Sequence, residues 1–246
     1  MLGGDFTVLG VGCLSTDNVA SDIILYSAEH NMVGAWITGA DGAVTGWETI
    51  AAFDGVVEVL GVADFNADAC VDLLLSINGE YGTFLNGGAA WNLLGAADGF
   101  AAECIGDFNG DGCDDLLLTG TAGAKVWFVD AAQSVVENAV TGLAGTVCGA
   151  GDFDGNGREE VLVNVDNMLK IASFDEAFQV VWTETGINAA DCTVEQLADF
   201  NADGLCDIVI RTSGGDIGAM VAANGVYEWH YFGSAGSEWT TSMTGL

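Results

Sequence analysis

One acidic segment returns four times in this 246-residue chain: DFNADACVDLLL from Asp64, DFNGDGCDDLLL from Asp107, DFDGNGREEVLV from Asp152 and DFNADGLCDIVI from Asp199. The leading aspartates stand 43, 45 and 47 residues apart. A worn fifth copy lies upstream, where GCLSTDNVASDIIL from Gly12 keeps the closing Asp22 and the apolar run, 50 residues before Asp72. A period of this length means a repeat architecture, in which each unit buries its apolar face against the next. Five units, about 5–54, 55–99, 100–144, 145–189 and 190–236, fill a single domain with no linker.

Every unit shares one grammar. A short apolar run enters the acidic loop, as in VLGVA from Val59, and a three-residue apolar run follows it at once, as in Leu116–Leu118. A glycine-rich turn leads to a third run (VGAWIT from Val33, KVWFV from Lys125, DIGAMV from Asp216). A fourth closes the unit (WETIAAF from Trp47, AWNLL from Ala90, VVWTET from Val180, YEWHYF from Tyr227). Short runs rich in β-branched and aromatic residues, punctuated by glycine, read as strands. The fold expected is all-β, a β-propeller of five four-stranded blades; a partly open stack of the same sheets is the alternative. The tail EWTTSMTGL from Glu238 repeats the pattern of a first strand, so 237–246 is spare, either closing the ring or starting a further blade.

Charge narrows the partners. Four Lys and Arg stand against 36 Asp and Glu, a formal net charge of −32, which excludes counterion release from a nucleic-acid backbone. The same excess argues against an anionic membrane surface. With half of the residues hydrophobic, the chain can nonetheless bury a core, so the charge needs a folded-state explanation. No apolar stretch is long enough to cross a bilayer, and Met1–Phe6 has no leader character. Export is therefore expected only as part of a larger surface or secreted protein. Seven cysteines form no CxxC pair, which argues against zinc.

The loop is the strongest chemical signal. Oxygen-bearing side chains fall at positions 1, 3, 5 and 9, position 7 adds a backbone carbonyl, and position 6 is glycine in three copies (Gly112, Gly157, Gly204). Calcium takes six to eight hard oxygen ligands, and a tight turn supplies them from alternate residues. Position 2 is always Phe (65, 108, 153, 200), an apolar anchor between the ligands. These segments resemble the FG-GAP/VCBS repeat, the calcium-loop blade of integrin-like propellers. That resemblance implies about four structural Ca²⁺ ions, an extracellular or cell-surface setting, and a module that binds protein or glycan partners. Carried over by position, the ligands are Asp64, Asn66, Asp68 and Asp72; Asp107, Asn109, Asp111 and Asp115; Asp152, Asp154, Asn156 and Glu160; and Asp199, Asn201, Asp203 and Asp207. The first unit has Leu14, Thr16 and Asn18 at positions 1, 3 and 5, so no metal is expected there. Ala69 at position 6 should cost about 1 kcal/mol if that residue needs φ > 0.

The function expected is a non-catalytic, monomeric binding, adhesion or display module, with neither nucleic acid nor membrane insertion. A glycan-binding lectin is the alternative and a glycoside-active enzyme a weaker one. Histidine occurs only as His30 and His230, and no nucleophile or phosphate-loop motif is present. Trp47, Trp91, Trp182 and Trp229 in fourth strands, and Trp36 and Trp127 in third strands, read as core between blades before they read as sugar platforms. The exposed aromatics expected are His230 and Tyr231 beside Trp229. Spacing also allows inter-blade disulfides Cys70–Cys104, Cys113–Cys148 and Cys206–Cys13, with buried thiols as the alternative.

Overall fold

The computed structural model describes residues 6–14, 21–54, 57–88, 90–223 and 226–234. Twenty strands form five four-stranded antiparallel sheets, each in sequence order. Blade 1 holds β1 (Phe6–Gly12), β2 (Asp22–Ser27), β3 (Met32–Thr38) and β4 (Val44–Ala52); blade 2 holds β5 (Val57–Ala63), β6 (Asp72–Ile77), β7 (Glu80–Phe84) and β8 (Asn92–Ala96). Blade 3 runs through β9 (Phe100–Gly106), β10 (Asp115–Gly120), β11 (Gly123–Val129) and β12 (Val135–Val140). Blade 4 comprises β13 (Thr146–Gly151), β14 (Glu160–Val165), β15 (Met168–Phe174) and β16 (Val180–Asn188). Blade 5 comprises β17 (Cys192–Ala198), β18 (Asp207–Thr212), β19 (Asp216–Ala223) and β20 (Val226–Ser234). The architecture is a five-bladed β-propeller. Trp91, expected inside a fourth strand, lies just before β8.

The second strands explain why their apolar runs are unbroken. In β6, β10, β14 and β18 the first four residues are all buried; in blades 2, 3 and 4 this is because a neighbouring blade covers each face of the sheet. The first strands carry a shared irregularity. Pairing with the second strand slips by one residue at Leu9, Leu60, Glu103, Cys148 and Glu195, a β-bulge repeated in every blade.

That bulge sets a knob-and-socket seam between neighbours. A Cβ placed on Gly10 would lie 2.3 Å from Cγ2 of Val62, one on Gly61 2.9 Å from Cδ1 of Ile105, and one on Gly149 2.9 Å from Cδ1 of Leu197. At the corresponding place in blade 3, Cys104 is buried in the cluster that includes Ala150. The position-2 phenylalanines are the second element of the seam. Phe65 clusters with Leu116, Leu118 and Val129 of blade 3; Phe108 meets Phe174 of blade 4 edge-on at 5.9 Å; Phe153 clusters with Ile208 and Ile210 of blade 5. A backbone bond is the third element. Val71, Asp114, Glu159 and Cys206 each donate their N–H, at 2.7–2.8 Å, to the carbonyls of Cys13, Asp64, Asp107 and Asp152 in the preceding blade.

These bonds correct the alignment of the first unit. Cys13, not Leu14, occupies position 1, and Leu14 takes the anchor's place, packing into the cluster shared with blade 2. The loop of blade 1, residues 13–21, is one residue longer than 64–71, which hides this register when the copies are aligned from Asp22. Thr16 and Asn18 lie outside the described residues, as does the Glu238–Leu246 segment.

From blade 5 to blade 1 the pattern stops. Phe200 is 46% exposed, against 0%, 5% and 7% for Phe65, Phe108 and Phe153. The knob of blade 1, Val11, is 61% exposed, and the socket position of blade 5 carries the long polar Gln196. Among the described residues, none makes a fifth inter-blade bond of the kind above. Among the described residues, four seams are built alike and this junction is not.

Candidate metal centre

Each acidic loop is wound by two left-handed residues. Position 6 has positive φ in all four copies (Ala69 64°, Gly112 87°, Gly157 79°, Gly204 86°), and so has position 4 (Ala67 59°, Gly110 80°, Gly155 76°, Ala202 59°). Alanine tolerates that region poorly, so Ala67, Ala69 and Ala202 hold local strain that glycine relieves in the other copies.

The winding turns backbone N–H groups toward the leading aspartate. Asp107 Oδ1 accepts from Gly110 (2.6 Å) and Asp111 (3.2 Å), and its Oδ2 from Gly112 (2.8 Å). Asn109 Oδ1 accepts from Asp111, and Asp111 Oδ1 from Cys113. Asp152 repeats this with Gly155, Asn156 and Gly157, Asp64 with Asn66, Asp68 and Ala69, and Asp199 with Asp203 and Gly204. Asp154 and Asn156, like Asn66 and Asp68 or Asn201 and Asp203, each cap the N–H two residues on. The bonds from Gly204 and its neighbours hold the Asp199 carboxyl below its ordinary value.

Position 9 does more than offer a ligand. Asp72, Asp115, Glu160 and Asp207 are buried, each with one oxygen on the N–H of the position-2 Phe at 2.9–3.0 Å. In three of them the other oxygen takes an N–H at or just beyond the end of the third strand: Asn86 for Asp72, Val129 for Asp115, Ala222 for Asp207. Asp22 keeps that second bond with Thr38 in blade 1, which explains why the closing aspartate survives in a loop without the other ligands. This carboxylate latches the loop to two strands. Burial pushes Asp115 up to about 8, and Asp72 and Glu160 up to about 7, with the backbone N–H bonds opposing. Next to them, burial also raises Asp114 to about 6 and Glu159 to about 7.

The loops differ in how far their acids converge. Carboxylate oxygens of Asp152, Asp154 and Glu160 lie within 4.8 Å of one another, close enough for one cation to reach all three. Among the described residues, the acids of the other three loops do not meet at that distance. There position 3 is an amide (Asn66, Asn109, Asn201), and the position-5 aspartate is turned to the backbone. Asp203 also accepts from the Asn201 amide at 2.8 Å, and Asp68 from that of Asn86. Hard oxygen donors on a preformed turn fit calcium best in blade 4. The carboxylates already bound to N–H groups retain lone pairs for a cation.

Other sequence-level candidates fall elsewhere. Trp47, Trp91 and Trp229 lie over glycines of their own blades: a Cβ on Gly34, Gly82 or Gly218 would come within 2.3–2.7 Å of a ring or backbone atom. Trp127 is buried between blades 2 and 3, and the half-buried Trp91 and Trp182 pack against the clusters shared by blades 1 and 2 and by blades 3 and 4, as expected, whereas Trp36 is exposed. His230 and Tyr231 are exposed beside Phe232, while His30 pairs with the hydroxyl of Ser27 at 3.0 Å. A cleft of about 420 Å³ between blades 3 and 4 is lined by Glu103, Thr119, Leu143, Thr146 and Val147 and has no aromatic wall for a sugar ring. None of the three disulfides allowed by spacing is formed. The bulge separates Cys148 from the socket position of Cys104, and loop cysteines face the preceding blade rather than the next. Cys70 lies 3.2 Å from Cys13, and Cys206 packs over Gly151.

No protein-family model matches this sequence, and no curated protein matches it. Solved structures do share the fold. An Agrocybe aegerita lectin that recognises non-reducing terminal N-acetylglucosamine superposes with a TM-score of 0.65 at 12% identity, over 92% of this chain and 66% of the lectin. An auxiliary nutrient-binding protein from Bacteroides thetaiotaomicron gives 0.56 at 12% identity, over 96% of this chain and 60% of that one. The Photorhabdus luminescens Tc holotoxin pore also gives 0.56, at 11% identity, over 96% of this chain and 12% of that one. This chain thus spans about two thirds or less of each.

Proposed function

We propose that this chain is a calcium-binding propeller of the FG-GAP/VCBS kind that serves as a non-catalytic binding or display module of a larger surface or secreted protein. The convergent oxygens of Asp152, Asp154 and Glu160, in a loop that recurs in three further blades, carry the reading. Structural rather than catalytic metal is favoured because the loops repeat, whereas a reaction centre needs one blade unlike the rest. Bound to the native state alone, each calcium stabilises it by about 1.4 kcal/mol at a tenfold excess over Kd. Extracellular calcium near millimolar suits the modest affinity of such loops.

Glycan binding remains the second reading, favoured by the shared fold with the Agrocybe aegerita lectin and by the exposed Trp229, Tyr231 and Phe232. Thermal melts in millimolar calcium and in chelator test the first reading. A rise of roughly 10–20 °C with calcium is expected from several filled sites; superimposable melts overturn it. Binding of the calcium-loaded chain to an array of terminal N-acetylglucosamine and related glycans would establish the second.

A further inference from the structure

Among the described residues, only the first seam sets a cysteine at position 1 opposite a cysteine at position 7. At position 1 the other loops place Asp64, Asp107 and Asp152, opposite position 7 of the following blade: Cys113, Arg158 and Leu205. In the first seam both places are thiols, and Sγ of Cys13 lies 3.2 Å from Sγ of Cys70. The backbone holds them together. The carbonyl of Cys13 accepts the N–H of Val71 at 2.7 Å, and the Val71 side chain fills the space over Gly12, where a Cβ would come within 2.3 Å of its Cγ1. Residues on both sides of the pair are thus pinned across the seam, and joining the sulfurs, to about 2.05 Å, requires rotation of two side chains rather than movement of a strand. Cys13 is half-buried and open to a small reagent, while Cys70 is 2% exposed.

We propose that Cys13 and Cys70 form an inter-blade disulfide when the chain meets a low-molecular-weight disulfide such as oxidised glutathione. The Cys13 thiolate attacks one sulfur of the glutathione disulfide, expelling a glutathione thiolate and leaving a mixed disulfide. Cys70 gives up its proton, attacks the Cys13 sulfur and expels the second glutathione. Two protein thiols are oxidised and one glutathione disulfide is reduced to two thiols. The product clasps the seam whose upstream loop lacks the acidic ligand set, and it does so whether or not the other loops hold a cation.

The test equilibrates the full chain in an oxidising glutathione buffer, alkylates it under denaturing conditions, and reads intact mass and Asp-N peptides without reductant. Expected are two fewer alkyl adducts than in the reduced chain, which takes seven, and a linked peptide holding Cys13 and Cys70. Cys13→Ser abolishes that link, and its circular dichroism reports whether it remains folded. The linked chain melts roughly 5–15 °C higher than the reduced one, in calcium and in chelator alike. Seven adducts after oxidation, a glutathione adduct left on Cys13, or a link from Cys70 to any other cysteine overturns the proposal.

Discussion

Replacing Asp115 with alanine isolates the latch that closes each acidic loop. Asp115 is fully buried, its Oδ2 takes the N–H of Phe108 at 3.0 Å, and its Oδ1 that of Val129 at 2.8 Å. Truncation leaves both N–H groups without an acceptor in a region closed to water, at about 1–3 kcal/mol each. Relief of charge offsets little of this, because burial raises the Asp115 carboxyl to about 8 and so keeps it largely protonated at pH 7. The net loss is roughly 2–6 kcal/mol, a fall in Tm of about 5–20 °C for a domain of this size. Urea unfolding followed by tryptophan fluorescence, in chelator so that metal plays no part, measures it. Asp111→Ala is the control: it removes the exposed cap on Cys113, whose place water takes, and should cost about 1 kcal/mol or less. A loss below about 1 kcal/mol for Asp115→Ala, or equal losses for the two variants, would refute the latch.

Two further outcomes follow from seam and charge. Phe65→Ala should cost about 3–5 kcal/mol, as for a filled core position, whereas Phe200→Ala should cost about 1, since half of that ring already meets solvent; equal losses would mean that the fifth blade is packed like the others. In chelator, the raised carboxyls of Asp72, Asp115 and Glu160 bind more protons folded than unfolded. Their stabilisation is complete below the ordinary values of 3.8 and 4.5 and is lost as pH rises through 7–8. The metal-free chain should therefore melt higher at pH 5.5 than at 8.5. With calcium the order reverses, because ligand deprotonation favours binding. Melts at both pH values check the signs, and a metal-free Tm that climbs with pH would refute them.

Most of the architecture was legible because period and strand grammar are local properties. Glycine at 112, 157 and 204 announced a left-handed position 6, and Ala69 adopts it at φ 64° in spite of its Cβ. Position 4 was readable in principle from Ala67, Gly110, Gly155 and Ala202, all small, but a calcium-loop template directs attention to the oxygens. The role of Asp22, Asp72, Asp115 and Asp207 as hydrogen-bond hubs was not legible, since their N–H partners come from the third strand or the turn just after it, about 15 residues on. The cysteine pairing failed for a related reason. Which neighbour a loop faces is set by the direction in which blades succeed one another, and no spacing encodes that. The extra residue of the first loop concealed that Cys13 stands where the other blades place aspartate.

Calcium stoichiometry tests the central claim most directly. Equilibrium dialysis against millimolar calcium, with elemental analysis per mole of chain, should return about four ions, and Glu160→Gln should remove the tightest of them while the chain remains folded. A chain that returns from dialysis with no calcium above the buffer level, yet folded, would contradict the account.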